Sequence, residues 1–233
     1  MLPTTEIRQG PPLAIFDHDG VLVDTLGFHQ AAWLELGRRT GLPITAELIH
    51  ETFGMTNPAI FERLLGDSAG EHDLAAYSDL KEECYRAVAR DQIRLMDGVR
   101  TLLDALTDAG VRLAIGSSGV RPNLELTVEV CGLAGRFAAI AALEDIRRGK
   151  PDPEVFLVAA RKAGVDPSRA VVFEDATFGI EAAKRAGMWA VGVTTSHSAE
   201  RLWEAGADEV VDNLGEYPVA PLLQRLALST KRL

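Results

Sequence analysis

The chain has 233 residues and a formal net charge of −10, with a pI near 5.0. That balance argues against a nucleic-acid partner, whose phosphates demand a basic face. Hydrophobic residues make up 47% and charged residues 25%, as in ordinary globular proteins, and no apolar run approaches the roughly 20 residues that span a bilayer. Met1 to Pro12 carries no apolar signal core, so no export is expected. The two cysteines, Cys84 and Cys131, lack metal-type spacing. They read as small core hydrophobes in a reducing, cytoplasmic compartment, with no disulfide between them.

The first element is the run Leu13 to Phe16, a short buried strand that ends in Asp17-His18-Asp19-Gly20. On an extended chain Asp17 and Asp19 face one side, with His18 pointing away. Gly20 permits a sharp turn. From about Gly27 to Arg94 the periodicity is helical. Phe28, Ala31, Ala32, Leu34 and Leu36 form an apolar face ending near Gly41 and Pro43. Thr45 starts a short helix that stops near Gly54. Asn57-Pro58 opens another over Ala59 to Leu65. A longer helix runs from His72 to Ala89, where Glu82 and Arg86 are spaced to pair on the solvent face. Trp33 belongs to the core of this block, which reads as a second domain inserted after the first strand.

From Met96 helices and strands alternate. Helices are expected over Thr101 to Ala109, Pro122 to Cys131, from Asp152-Pro153 to Gly164, over Phe178 to Ala186 and over Ser198 to Ala205. Strands are expected at Val111 to Gly116, Phe137 to Leu143, Ala170 to Phe173, Trp189 to Val193 and Glu209 to Val211. Ser229 to Leu233 reads as a frayed end. The pattern predicts an α/β fold: a Rossmann-like, mostly parallel sheet with helices on both faces, plus an inserted all-α domain. The expected division is residues 1–24 and 96–233 for the α/β core and 25–95 for the helical insert.

Ligands of such sheets bind outside the carboxyl ends of the strands. Those ends deliver Asp17, Asp19, Ser117, Glu174 and Asp175 to one rim. Lys150, in Lys-Pro-Asp-Pro, adds a cation held off a helix by the proline. Paired carboxylates resist ionising unless a cation sits between them, and a hard divalent ion such as Mg2+ meets that need. The same parts suit phosphoryl transfer. Asp17 is the candidate nucleophile, Asp19 the acid/base, and Lys150 and Ser117 the phosphoryl ligands. No G-x-S-x-G elbow surrounds Ser117, which excludes a serine hydrolase of that kind.

Phe16-Asp-His-Asp-Gly-Val-Leu-Val-Asp-Thr25, Ser117, Lys150-Pro-Asp-Pro153 and Glu174-Asp175 resemble the four ordered motifs of the haloacid dehalogenase superfamily. The helical insert resembles the cap of its phosphatase and β-phosphoglucomutase branch. So do Asp24-Thr25-Leu-Gly-Phe-His29, with Trp33, and Gly54-Met-Thr-Asn57. The resemblance implies an aspartyl-phosphate enzyme acting on a small phosphorylated substrate, a sugar phosphate among the candidates. Mg2+ would be held by Asp17, the Asp19 carbonyl, Glu174 and Asp175. Ser117 and Lys150 would bind the phosphoryl group. Gly20, Ser118, Arg121 and, in the cap, His29, Gly54, Thr56 and Asn57 are the candidate substrate contacts, and cap closure would exclude water. Departures favour hydrolysis over a mutase. Asn57 stands where the mutase has a phosphate-binding arginine, and Val120 and Arg121 replace its lysine and asparagine after the second motif. A mutase stays in view through Arg121. The only lysine of the insert, Lys81, lies in a helix and not in a substrate loop, which argues against the phosphonatase branch. The metal-free dehalogenase branch lacks a partner like Asp19. The remaining alternative is a non-catalytic phosphate-ligand binding protein on a retained fold. A monomer is the default expectation.

Overall fold

The computed structural model describes residues 10–52 and 56–228. In chain order the first half holds β1 (Leu13–Phe16), α1 (Leu26–Thr40), α2 (Ala46–Glu51), α3 (Asn57–Leu65), α4 (Leu74–Ala89) and α5 (Val99–Asp108). Next come β2 (Arg112–Gly116), α6 (Arg121–Val130), β3 (Ala139–Ala141), α7 (Glu154–Ala163) and β4 (Ala170–Glu174). The chain continues through α8 (Thr177–Arg185), β5 (Trp189–Val193), α9 (Ala199–Glu204), β6 (Glu209–Val211) and α10 (Val219–Leu228). The described residues fall into two compact units. Of the described residues, one unit draws on 10–23, 95–121 and 133–228, the other on 24–52, 56–94 and 122–132.

The first unit is a six-stranded sheet in the order β3-β2-β1-β4-β5-β6, with every pairing parallel. β1 lies between β2 and β4. The chain therefore leaves β1 toward one neighbour and returns on its other side, which is the switch point where such sheets open a crevice. Strands buried on both faces need continuous apolar sequence. Leu-Ala-Ile-Phe of β1 and Ala-Val-Val-Phe of β4 supply it, and all eight residues are buried. Phe16 stacks on Phe173 across the pair, with centroids 4.8 Å apart. Val155, Phe156 and Ala159 of α7 and Ile180 and Ala183 of α8 join the core cluster around these strands.

The second unit is helical. Gly41, at φ 76°, ends α1, the Thr45 hydroxyl caps α2 at Leu48 N, and Pro58 stands in the first turn of α3. Its core includes Trp33, Leu36, Ile49, Ile60 and Phe61, and Trp33 meets Phe61 edge-on at 5.1 Å. Trp33 is core, as expected.

The solvent-face pairing of Glu82 with Arg86 is not what forms. Glu82 is 8% exposed and accepts hydrogen bonds from Lys81 Nζ (2.8 Å), Asn57 Nδ2 (2.9 Å) and Asn123 Nδ2 (2.7 Å). Arg86 donates instead to Asn123 Oδ1 at 3.1 Å. Burial opposes the Glu82 charge, yet Lys81 and the two amides outweigh it and hold the carboxyl below its usual range. The partners lie 25 and 41 residues away in sequence, so helical spacing alone could not reveal them.

Element boundaries shift by a few residues. The strand expected over Phe137 to Leu143 shrinks to Ala139–Ala141, because Leu143–Asp145 turns into a 3-10 helix whose Asp145 carboxylate accepts from Ala142 N. The long helix expected from His72 starts at Leu74, capped by Asp73. α10 has no counterpart among the expected elements.

Candidate active site

The site grows out of the pairing of β1 with β4. Phe16 lies opposite Phe173, and Asp17 N donates to Phe173 O at 3.0 Å. Asp17 therefore leaves β1 beside Glu174, the last residue of β4, and Asp175 follows. Asp17, Glu174 and Asp175 are all buried, and one carboxylate oxygen from each lies within 4.8 Å of the others. Lys150 is the cation among them, its Nζ 2.7 Å from Asp17 Oδ1 and 2.8 Å from Glu174 Oε2. Glu174 Oε1 also accepts from Ala176 N at 3.1 Å.

Close backbone approach makes this packing possible. A Cβ on Gly179 of α8 would fall 2.0 Å from Glu174 Cδ. Gly20 has φ 76°, and a Cβ there would fall 1.9 Å from Asp175 Oδ2. The turn after Asp17 thus needs glycine for its backbone and for the carboxylate beside it.

Burial and mutual repulsion dominate the electrostatics. Burial opposes the Lys150 charge, but Asp17 and Glu174 outweigh it and keep the ammonium protonated. Burial, with Asp17 adding to it, pushes the Glu174 carboxyl well above its ordinary range despite Lys150. Burial and then Asp17 lift Asp175 from 3.8 to about 7. Three carboxylates facing one ammonium leave an excess of two negative charges when all are ionised. Hard oxygen donors with that deficit fit a divalent cation such as Mg2+.

A pH dependence follows with a definite sign. Between pH 3.8 and about 7 the folded protein keeps a proton on Asp175 that the unfolded chain releases. With chelator present, this group's contribution to stability is full at the acid end and is lost as pH rises toward about 7. Glu174 acts in the same direction. Stabilisation by added Mg2+ is expected to grow over that window, because only the ionised carboxylate ligates. Thermal melts at stepped pH, with chelator and with Mg2+, check both trends, and an Mg2+ effect that is flat with pH contradicts the assignment.

Asp19 has a partner that strand alternation did not foresee. Its carboxylate is one-third exposed, and Oδ1 lies 2.9 Å from Nδ1 of His18. His18 is 1% exposed, and its ring is joined to Asp19 through Nδ1, a contact that reading it only as a packing variant left out. The physical reason is that β1 stops at Phe16. Leu22 N and Val23 N both bond to His18 O, so the backbone is turning and two-residue alternation no longer applies. The clustered metal-type side chains are accordingly Asp17, Glu174 and Asp175. The expectation for Asp19 as a metal ligand concerned its backbone carbonyl, which this grouping of side chains leaves open.

Ser117 is buried at the end of β2, where its Oγ accepts from Gly119 N at 3.0 Å, and Ser118 beside it is exposed. The Arg121 guanidinium pairs with Asp145 Oδ2 at 2.5 Å and its backbone N–H meets both Glu144 oxygens at 3.0 Å. Arg121 is thereby tied to the 3-10 helix after β3. In the helical unit, His29 Nδ1 accepts from Lys81 Nζ at 2.8 Å, and the ring stacks on Tyr85 at 4.4 Å. Thr56 is exposed before α3, and Asn57 is half-buried through its bond to Glu82. Gly54 lies outside the described residues.

Sequence reasoning missed the loop after β5. Thr195 Oγ1 donates to Gly20 O at 2.5 Å, the Ser196 hydroxyl donates to Asp175 Oδ2, and His197 Nδ1 donates to Asp175 O at 3.1 Å. The signal was present. This polar run follows a parallel strand, as Asp17 and Asp175 do.

The family model for haloacid dehalogenase-like hydrolases matches residues 14–193. A validoxylamine A 7'-phosphate phosphatase of Streptomyces hygroscopicus subsp. limoneus is 35% identical over 199 residues, covering 83% of this chain and 90% of its own. A fructose-1-phosphate phosphatase of Escherichia coli (strain K12) is 32% identical over 181 residues, covering 77% and 94%. The solved β-phosphoglucomutase of Clostridium difficile aligns with a TM-score of 0.79 at 25% identity, covering 95% of this chain and 100% of its own. The chain belongs to the haloacid dehalogenase-like hydrolase family, on its phosphatase and phosphomutase side.

Proposed function

We propose that this protein is an Mg2+-dependent phosphatase of a small phosphorylated, carbohydrate-like metabolite, working through an aspartyl-phosphate. The carrying observation is the buried set Asp17, Glu174 and Asp175 with Lys150 bonded to Asp17. Phosphatases among the relatives, with phosphorylated sugars or sugar-like molecules in their names, support the substrate class.

In this reading an Asp17 oxygen attacks phosphorus while the bond to the leaving oxygen breaks. Asp19 gives that oxygen its proton. Water then attacks the same phosphorus, Asp19 takes the water's proton, and the bond to Asp17 breaks to release inorganic phosphate. Lys150 and the Ser117 hydroxyl hold the phosphoryl oxygens as charge shifts among them. His18, through Nδ1, orients the Asp19 carboxyl. A bound Mg2+, held by Asp17, Glu174, Asp175 and the Asp19 carbonyl, supplies electrophilic stabilisation of the phosphoryl group. The helical unit serves as the cap that selects the substrate.

The likeness to a β-phosphoglucomutase keeps a second reading in the test. Purified protein is offered a panel of sugar and sugar-like monophosphates, with Mg2+ and with chelator. Phosphate released only with Mg2+ supports the phosphatase. Isomer formation from β-glucose 1-phosphate plus a bisphosphate primer, with no free phosphate, favours the mutase. No turnover of any substrate favours a binding protein.

A further inference from the structure

Thr195, Ser196 and His197 follow β5 in immediate succession, and each engages the frame of the carboxylate cluster. Thr195 holds the Gly20 carbonyl at 2.5 Å, in the turn that follows the nucleophile. Ser196 donates to Asp175 Oδ2, and His197 Nδ1 donates to the Asp175 backbone carbonyl at 3.1 Å. One loop therefore grips the turn after β1 and the residue after β4 together. Asp175 is held both at its backbone and at one carboxylate oxygen, which leaves its side chain little rotameric freedom. The approach is tight enough that a Cβ on Gly20 would meet Asp175 Oδ2 at 1.9 Å and Ser196 Oγ at 3.1 Å. The arrangement is that of a hydroxyl aiming a ligating carboxylate, the kind of partner whose loss typically costs 10–100-fold in metal affinity.

We infer that Ser196 is a positioning residue for divalent-cation binding, fixing the direction in which Asp175 presents its carboxylate, while Thr195 and His197 fix the backbone on which it acts. The inference rests on the reading of Asp17, Glu174 and Asp175 as a cation site. Neither Ser196 nor its neighbours touch the phosphoryl group in this scheme, so their effect passes through the metal.

Calorimetric titration of the whole protein with MgCl2, without substrate, tests it. Wild type is titrated first, beside Ser196→Ala, Ser196→Thr and Ser198→Ala. Ser198 is in the same loop, is exposed, and makes no side-chain cap bond at the start of α9. Ser196→Ala is expected to raise the Mg2+ dissociation constant about 10-fold, Ser196→Thr to return it near wild type, and Ser198→Ala to leave it alone. Circular dichroism in chelator establishes that each variant is folded at the titration temperature. Unchanged Mg2+ affinity in Ser196→Ala overturns the inference. So does Ser196→Thr as weak as Ser196→Ala, or an equal loss in Ser198→Ala, either of which points to general loop damage. A wild type that binds no Mg2+ brings down the cation-site reading itself, and the inference with it.

Discussion

Asp17→Asn is expected to cut phosphate release at least about 10⁴-fold, the order seen when a covalent nucleophile is removed. The amide is nearly isosteric with the carboxylate but is a poor nucleophile toward phosphorus. The fold should survive the change, because Asp17 N still donates to Phe173 O. Removing one of three buried carboxylates also relieves the repulsion that raises Glu174 and Asp175. The variant should therefore melt no lower than wild type in chelator while being inactive. Paired activity and melting measurements check this. Substantial residual turnover would rule out a covalent role for Asp17.

Lys150→Met is expected to damage both chemistry and stability. The side chain is 11% exposed and its ammonium is shared between Asp17 and Glu174. Methionine matches the length of the chain but leaves three buried carboxylates with no cation among them. Breaking a buried pair by deleting one partner typically costs about 3–5 kcal/mol. Activity should fall by about 10³-fold, the upper range for one charge-stabilising donor. Mg2+ should restore more stability to this variant than to wild type, since it supplies the missing charge. Melting curves with and without Mg2+ read this directly, and equal Mg2+ shifts in the two proteins would show that Lys150 does not share the cluster's charge with the cation.

Much of the site was legible because one rule governs it. Parallel strands deliver polar residues at their carboxyl ends, and the runs before Asp17, Ser117 and Glu174 are plainly strands. Lys150 needed a different cue, the prolines that interrupt helix. Misreadings arose where a local pattern was carried past its element. Alternation placed His18 away from Asp19, although the strand had already ended at Phe16. Helical spacing paired Glu82 with Arg86, although amides from α3 and α6 compete for that carboxylate. The Thr195–His197 loop obeyed the strand-end rule, but hydroxyls announce chemistry less loudly than paired carboxylates.

The place of β1 in the sheet also orders events during synthesis. Leu13 pairs with Arg112 on one side and with Ala170 on the other, so the strand that leads into Asp17 is made before both partners and waits for them. Such distant pairings are slow to form, because the intervening chain must close on itself before any contact rewards it. Asp17 and Lys150 gain their full surroundings only once β4 has been made. Asp17 thus stays outside the carboxylate cluster until the stretch through Asp175 has been made.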